Sequence, residues 1–284
     1  MQPIVRYPAV AEEFYPSDDQ ELEEVLAGLF MNGPAPVPEN RVRAVIVPHA
    51  AYRYSGEVAA KAFSAVVGRS FRTVVLMGNA HSYLFDGIAI DAHKAWNSPL
   101  GDVPVNREMG RKLIGLDPDL FHELDIAHHC DHVLEVQLPF LQYALEPGFS
   151  VLPLLFGNNH FDAYRSTADR IIEVMTGDDL LVASTDLSQY PAYRDAKGID
   201  QKTLELMAQM DIDGLEAHQQ DIRQRRIPGA TSAFCSPDAI KTMLEVGHRL
   251  GWKAGKPAYR NSGDAIHDDR LAVVGYGALA FFEP

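Results

Sequence analysis

The stretch "VRAVIVPHAAYRYSG" (residues 42–56) opens with a mostly apolar run and ends in a polar, aromatic segment. A short apolar run that stops at a proline is typical of a strand buried on both faces of a sheet. The residues that follow carry His49 and then, from Ser55 onward, the spacing of an amphipathic helix with Ser55 as its N-cap. A buried strand that leads into a helix predicts an α/β protein.

The same alternation of apolar strands and amphipathic helices continues along the chain. Further strands are predicted at residues 73–78, 86–91, 150–157, 179–184 and, as one or two strands, 270–282. Helices are predicted at residues 55–68, 106–116, 133–145, 161–175, 198–210, 211–221 and 236–251. We therefore predict a three-layer α/β/α sandwich with a mostly buried, mixed sheet. Residues 1–284 are expected to form a single domain, with one linker-like stretch at 32–40.

Composition narrows the classes of partner. The 284 residues carry a formal net charge of −14, from 39 acidic and 25 basic side chains, which argues against nucleic acid or an anionic membrane as a partner. The chain has 2 cysteines, too few for a disulfide framework, so a reducing compartment is expected. The N-terminus lacks a signal-peptide pattern, and no apolar stretch approaches the roughly 18 residues that span a bilayer. We expect a cytoplasmic protein, and the sequence leaves its oligomeric state open.

Polar side chains follow three of the predicted strands at their carboxyl ends. His49 follows strand 42–47, His81 follows strand 73–78, and Asp186 follows strand 179–184. Each residue alone is equally well explained as a helix cap, a turn residue or a surface side chain. In open α/β sheets, however, ligands bind beyond the carboxyl ends of the strands. Three polar groups at equivalent strand ends therefore predict a binding site there.

Cys235 adds a fourth candidate to this site. It precedes Ser236, the predicted N-cap of helix 236–251, where the helix dipole favours a thiolate. The alternative for a single cysteine is a small buried hydrophobic residue. Two imidazoles and one thiolate would form a three-ligand metal site with an open position, as catalytic sites require. Such a mixed set suits iron, copper or zinc better than magnesium or calcium.

The histidine-rich segment "AHHCDHVLEVQ" (127–137) is the other concentration of polar chemistry. His132 adjoins the predicted start of a helix and is expected to point into the site. His128 and His129 are interpreted as parts of a solvated loop in which Asp131 acts as a cap. Five further histidines carry no local pattern and are interpreted as surface residues: His93, His122, His218, His248 and His267.

Several motifs together resemble the Memo family, whose bacterial and archaeal members are also called AmmeMemoRadiSam system protein B. These motifs span nearly the whole chain: "RYPAVAEEFYP" (6–16), "PHAAYRYSG" (48–56), "GNAHSY" (78–83), "DHVLEVQLPFLQ" (131–142), "STDLSQY" (184–190), "FCSPDAI" (234–240) and "SGDAIHDDRLAVVGYGALAFF" (262–282). The resemblance implies a fold similar to that of class III extradiol ring-cleaving dioxygenases, which are non-haem iron enzymes. It also implies that His49, His81 and Cys235 are the metal ligands, with Fe²⁺ as the expected ion and copper or zinc as alternatives.

The chain departs from the family pattern in the pocket. The family motif S-D-x-x-H ends in Gln189 here, and the ring-cleaving relatives use a histidine in that region as acid–base catalyst. Glutamine cannot titrate, so His132 is the candidate to replace it. The resemblance implies that Asp186, Gln189 and His132 take part in catalysis. It also implies that Tyr54, His132 and Gln189 contact the substrate.

These features predict two different functions. The first is oxygen-dependent oxidation of a small, phenolic substrate by a non-haem iron site. The second is a non-catalytic module that binds a metal or a peptide, an interpretation that the loss of the histidine at position 189 favours. A zinc hydrolase is a third option, which the thiolate ligand and the kinship with dioxygenases disfavour.

Overall fold

The computed structural model describes residues 4–31, 41–225, 227–265 and 270–284. The linker-like stretch at 32–40 and His267 lie outside these residues. Twelve strands occur in the described part of the chain: β1 (Val5–Arg6), β2 (Val42–Val47), β3 (Thr73–Asn79), β4 (Ile88–Ile90), β5 (Ala95–Ser98), β6 (Gly101–Pro104), β7 (Phe121–Glu123), β8 (Ser150–Phe156), β9 (Asp179–Ser184), β10 (Lys253–Ala254), β11 (Ala258–Asn261) and β12 (Gly275–Phe282).

Ten α-helices occur within the same described ranges. They are α1 (Asp19–Phe30), α2 (Tyr52–Phe63), α3 (Arg107–Leu116), α4 (Asp125–His129), α5 (Leu138–Ala144), α6 (Ala163–Val174), α7 (Tyr193–Gln209), α8 (Ile212–Arg225), α9 (Pro237–Arg249) and α10 (Ser262–Ala265). None of these helices is both long enough and apolar enough to cross a membrane.

Nine of the described strands form one mixed sheet. Eight of them are ordered β10-β12-β2-β9-β3-β8-β4-β7, and β11 pairs with β12 off this path. The four central strands, β2, β9, β3 and β8, are parallel, so their carboxyl ends lie at one edge of the sheet. β12 is antiparallel to β2 on one side, and β4 is antiparallel to β8 on the other. This sheet confirms the predicted α/β class with a large mixed sheet.

Helices cover both faces of the sheet, as the apolar strands predict. Side chains of β2 alternate between the two faces: Val45 and Val47 belong to one apolar core, whereas Ala44 and Ile46 belong to the other. The first core is completed by α1, α2 and α5, and the second by α3, α6, α7, α8 and α9. All six residues of β2 are buried. The predicted three-layer sandwich is confirmed.

Some predicted element boundaries are wrong. The helix expected from Ser55 begins at Tyr52. The amide of Tyr52 has no partner within the helix and donates instead to the carbonyl of Phe14 in the N-terminal segment at 2.9 Å. The Ser55 hydroxyl instead donates to the carbonyl of Ala50 at 2.8 Å. The helix predicted at 133–145 is a short 3₁₀ turn followed by α5, whose first turn holds Pro139. Proline favours that position because it has no amide hydrogen to leave unpaired.

A three-stranded sheet lies beside the main one, with β5 between β1 and β6. It positions Arg6, whose buried guanidinium stacks on Trp96 with 4.3 Å between Cζ and the ring centroid. Arg6 Nη1 also pairs with Glu135 at 2.8 Å. The same side chain donates to the carbonyls of His128 and Asp131 at 2.8 and 3.0 Å. Arg6 thereby ties the N-terminal segment to the histidine-rich loop.

Candidate metal centre

His49 lies directly beyond β2 and is buried, with 2% of its surface exposed. Its Nδ1 lies 3.0 Å from the hydroxyl of Ser184, which also receives a hydrogen bond from Gln137. The single hydroxyl hydrogen of Ser184 points to the carbonyl of Val133 at 2.7 Å. The hydroxyl therefore accepts from His49, which places the ring hydrogen on Nδ1 and leaves Nε2 free to bind a metal.

His81 follows β3 and reaches the same place from the neighbouring strand. Its Nδ1 lies 2.8 Å from the carbonyl oxygen of Asn79, so Nδ1 carries the hydrogen and Nε2 is again free. A partner that fixes one ring nitrogen while the other faces a metal is the usual arrangement for histidine ligands. Both histidines thus present the same nitrogen to the site.

Cys235 completes the group from the segment that precedes α9. Its Sγ lies 3.3 Å from Nε2 of His49 and accepts a hydrogen bond from the amide of Asp186 at 3.2 Å. Cys235 stands directly before Ser236, the N-cap of α9, which places its sulfur beside the two imidazoles. One ligand atom from each of His49, His81 and Cys235 lies within 4.8 Å of the other two. The structure therefore brings together the three residues predicted as ligands.

The electrostatics at this group favour a positive charge. Burial disfavours the imidazolium of His49, but the nearby Cys235 sulfur and Asp186 carboxylate outweigh burial and raise the pKa of His49. A metal ion between sulfur and imidazole would supply that positive charge in place of a proton. Two imidazoles and a thiolate are the donor set that zinc, copper or iron prefers, so these residues fit such an ion.

Asp131 holds the loop that carries His81, a role that the sequence does not show. Its Oδ2 accepts the amides of His81 and Ser82 at 2.7 and 3.0 Å, and its Oδ1 accepts the amide of Val133 at 3.0 Å. The segment of Asp131 lies close to β3 at Gly78, where an added Cβ would be 2.3 Å from a methyl group of Val133. Asp131 is buried, which contradicts the predicted solvated loop; its contact with Val133 is local, but its contacts with His81 and Ser82 join two segments far apart in the sequence.

Asn79 is a second residue whose role the sequence does not show. Its side-chain oxygen accepts the amides of Asp238 and Ala239 at 3.1 and 3.3 Å, at the start of α9. The predicted N-cap, Ser236, makes no such bond with its own helix. The carbonyl of Asn79 also accepts a hydrogen bond from Nδ1 of His81. Asn79 therefore links α9, the helix that follows Cys235, to the ligand His81.

His132 lies beside the two histidine ligands, as predicted. Its ring centroid is 5.5 Å from that of His49 and 5.6 Å from that of His81. Burial lowers the pKa of His132 to about 4, and the neighbouring His49 adds to this effect. His132 is therefore neutral near pH 7. Its neighbour on the other side is Phe14, at 4.8 Å between centroids.

A cavity of about 420 Å³ opens onto His81 and Cys235. The predicted residue Gln189 lines it, and so does Arg223, which the sequence did not single out. The remaining described lining is mostly aromatic and amide side chains, formed by Asn79, Ala80, Tyr83, Leu84, Phe85, Phe156, Gly157, Asn158, Gln219, Ser232, Phe234 and Pro237. The described lining residues include no Asp and no Glu.

Three predicted residues, His132, Asp186 and Tyr54, are not among the described residues that line this cavity. Asp186 accepts the amide of His49 through Oδ1 at 2.9 Å, and its Oδ2 is 4.0 Å from Nε2 of the same ring. Tyr54 lines a separate cavity of about 610 Å³, which Phe14 also lines. Roles for Asp186 and Tyr54 in catalysis or substrate binding stay predictions.

Two histidines predicted to lie in solvent are buried. His93 is 7% exposed and His128 is not exposed at all. His93 contacts Asp91, two residues away, and His128 contacts the carbonyl of Ala89 on β4. Other parts of the fold bury both rings, and local sequence pattern does not reveal that burial.

The fold and this centre define an α/β protein with a candidate metal site built from two imidazoles and a thiolate. Comparison with known proteins then identifies the family. The model of the Memo-like protein family matches residues 6–280, and the chain belongs to this family.

Curated relatives match the chain over nearly its full length. A MEMO1 family protein of Desulfurococcus amylolyticus is 32% identical, over 98% of this chain and 99% of its own. Proteins of the same description from Aeropyrum pernix and Methanosarcina mazei are 33% and 31% identical, over 97% of this chain and 99% and 98% of theirs. Among solved structures, an uncharacterised Escherichia coli K12 protein matches 84% of this chain and 99% of its own, with a TM-score of 0.48 and 12% identity.

Proposed function

We propose that His49, His81 and Cys235 bind Fe²⁺ and that the protein uses it to oxidise a small phenolic substrate with dioxygen. The observation that carries this proposal is the group of three ligand atoms within 4.8 Å, two of whose residues face a cavity large enough for a small molecule. Fe²⁺ held there supplies the one-electron chemistry that lets dioxygen react with a closed-shell organic compound.

The cavity supports a phenolic compound as the substrate. Four aromatic side chains line it, and they suit a flat ring: Tyr83, Phe85, Phe156 and Phe234. Arg223 is the one arginine or lysine among the described lining residues, so it is the candidate to bind a phenolate or carboxylate. Gln189 offers an amide that can donate to or accept from a substrate hydroxyl.

Proton transfer is the step for which this chain is poorly equipped. Gln189 cannot titrate, and His132, with a pKa of about 4, holds a proton weakly near pH 7. His132 also lies outside the described lining of the cavity, so it is poorly placed to meet a substrate bound there. Asp186 acts as a positioning residue in this proposal, because it holds the backbone of His49.

The lack of a suitable acid or base favours a second candidate function, a non-catalytic module that binds a metal or a peptide. The described cavity lining contains no carboxylate and no histidine apart from the ligand His81. A positioned acid or base is worth roughly 10²- to 10⁴-fold in rate, so its loss is compatible with a protein that retains its metal but not its chemistry.

Oxygen consumption separates the two candidates. Protein loaded anaerobically with Fe²⁺ is mixed with a panel of catechols and with dioxygen, and ring-cleaved products are followed by their absorption. Gln189→His should raise turnover by up to roughly 10²- to 10⁴-fold, because it restores an imidazole to the cavity. Gln189→Asn, which keeps the amide, is the matched control and should not raise turnover. If neither variant nor wild type consumes oxygen while all three hold iron, the binding module is the better account.

A further inference from the structure

Asp91, His93 and Asp125 form a second group of side chains able to hold a metal ion. One ligand atom from each lies within 4.8 Å of the other two. Asp91 and His93 follow β4, and Asp125 begins α4 just after β7. β4 and β7 are paired and parallel, so their carboxyl ends bring these side chains together.

The carboxylate of Asp91 is buried with only one of its oxygens engaged. Oδ1 accepts the amide of His93 at 2.7 Å and faces Nδ1 of the same residue at 2.8 Å. Oδ2 is buried and meets no hydrogen-bond donor among the described residues, and Asp91 as a whole is 1% exposed. A buried carboxylate oxygen without a donor is costly, so its position indicates a positively charged partner.

His128 presents a second buried acceptor near this carboxylate. Its Nε2 lies 3.2 Å from the carbonyl of Ala89 and therefore carries the ring hydrogen. Burial lowers the pKa of His128, so the ring is neutral and its Nδ1 is an acceptor. That Nδ1 is buried and has no partner among the described residues. Oδ2 of Asp91 and Nδ1 of His128 are thus two buried acceptors, on interacting side chains, that meet no hydrogen-bond donor among the described residues.

The spacing already suits a metal ion. Two ligand atoms bound at about 2.1 Å and at right angles to each other lie about 3 Å apart. The 2.8 Å between Oδ1 of Asp91 and Nδ1 of His93 is close to that value, so one ion can bind both atoms after the His93 ring turns to direct its lone pair at the ion. Asp125 is held by the amide of Ala92 through Oδ1 at 2.8 Å. Arg6, a neighbouring cation, is already paired with Glu135.

We propose that Asp91, His93 and Asp125 bind a divalent transition-metal ion, distinct from the ion at His49, His81 and Cys235. Two carboxylates and one imidazole balance a charge of +2 and select an ion between Mn²⁺ and Zn²⁺ over softer Cu⁺. The carboxyl end of β4 points away from the edge of the sheet that holds the first site, because β4 is antiparallel to β8.

This ion fixes the segment that leads to the first site. It joins the residues after β4 to the start of α4, whose far end is followed by Asp131 and His132. Asp131 in turn holds the loop of His81. The second ion is therefore structural, and it does not depend on the oxidation chemistry proposed above.

Cobalt titration of the metal-free protein distinguishes the two sites, because only the first contains a thiolate. Wild type should take up about two Co²⁺ per chain, with thiolate-to-cobalt charge-transfer absorption arising from one of them. Asp91→Asn should bind one ion less and keep that absorption in full. Its Oδ1 can still accept both contacts from His93, so the variant should fold. Cys235→Ser should lose the absorption and keep the second ion.

Two more variants make the result decisive. Asp125→Asn should also lose the second ion. Asp162→Asn is the matched control, because Asp162 contacts His160, two residues away, at 2.7 Å on the exposed surface without a third ligand. It should bind cobalt as wild type does. The proposal is overturned if Asp91→Asn and Asp125→Asn bind as much cobalt as wild type, or if wild type binds one ion and its charge-transfer absorption is already complete.

Discussion

Replacing Asp131 with asparagine should weaken metal binding without removing any ligand. In the wild type the Asp131 carboxylate accepts three backbone amides, those of His81, Ser82 and Val133, at 2.7 to 3.0 Å. An asparagine has one oxygen, so if that oxygen faces His81 and Ser82, its amide group faces the Val133 amide, donor against donor. The loop that carries His81 therefore loses part of its support.

The expected magnitudes follow from these three contacts. A hydrogen bond to a charged group contributes about 1.5–3 kcal/mol to stability. Asp131→Asn removes one such bond and weakens two, so the free energy of unfolding should fall by about 2–4 kcal/mol. Residues that orient metal ligands typically contribute 10- to 100-fold to affinity, equivalent to about 1.4–2.7 kcal/mol. The affinity for Zn²⁺ should fall by roughly that factor.

Competition titration with a chelator measures the affinity, and urea unfolding of the metal-free protein measures the stability. Leu22→Ala is the matched control, because it removes a fully buried side chain from α1 and costs about 2–5 kcal/mol without touching the ligands. It should leave zinc affinity unchanged. If Asp131→Asn binds zinc as tightly as wild type while its stability falls, Asp131 supports the fold alone and the reasoning about His81 is wrong.

Two other predictions concern Cys235 and Asp200. Bound metal should protect Cys235 from iodoacetamide; equal rates of Cys235 alkylation in metal-free and loaded protein would exclude it as a ligand, and the exposed Cys130 serves as the internal control. Burial raises the pKa of Asp200 to about 6, so the folded state binds its proton more tightly than the unfolded state. That contribution to stability is present below about pH 4 and is lost as the pH rises through about 6, a change of about 3 kcal/mol. Asp200→Asn should abolish this pH dependence, because an amide does not titrate. The variant should still fold, since asparagine can accept from the Ser188 amide and donate to the Tyr259 hydroxyl oxygen, both now bonded to Asp200. Urea unfolding from pH 4 to pH 7 checks this, and an unchanged pH dependence in the variant would contradict it.

The central strands were predictable because burial on both faces leaves a continuous apolar run. The strands predicted at 42–47 and 179–184 are β2 and β9 to the residue. The short strands β1, β5, β6, β7, β10 and β11 were missed. Each is two to four residues long, which is too short to show a strand pattern in the local sequence, and its conformation depends on pairing with another strand.

The candidate site, like the fold, contains some residues that could be predicted from the sequence and others that could not. His49 and His81 could be found because each follows a strand in an α/β sheet, and Cys235 because it precedes a helix. The roles of Asn79 and Asp131 could not be predicted, because both side chains accept hydrogen bonds from backbone amides far away in sequence. Every residue except proline has such an amide, so the sequence does not mark the partner. The burial of His93 and His128 was missed for a related reason: whether a histidine is buried depends on how distant elements pack over it.

The most direct test of the central claim is X-ray absorption at the iron edge, on the Asp91→Asn protein, in which only the first site remains, loaded anaerobically with one equivalent of Fe²⁺. The account predicts one sulfur neighbour, at about the 2.3 Å of a metal–thiolate bond, together with imidazole nitrogens from His49 and His81. Cys235→Ser should lose the sulfur neighbour and keep the imidazoles. A spectrum of the Asp91→Asn protein without sulfur, or a sulfur neighbour that survives when Cys235→Ser is added, would contradict the proposed centre.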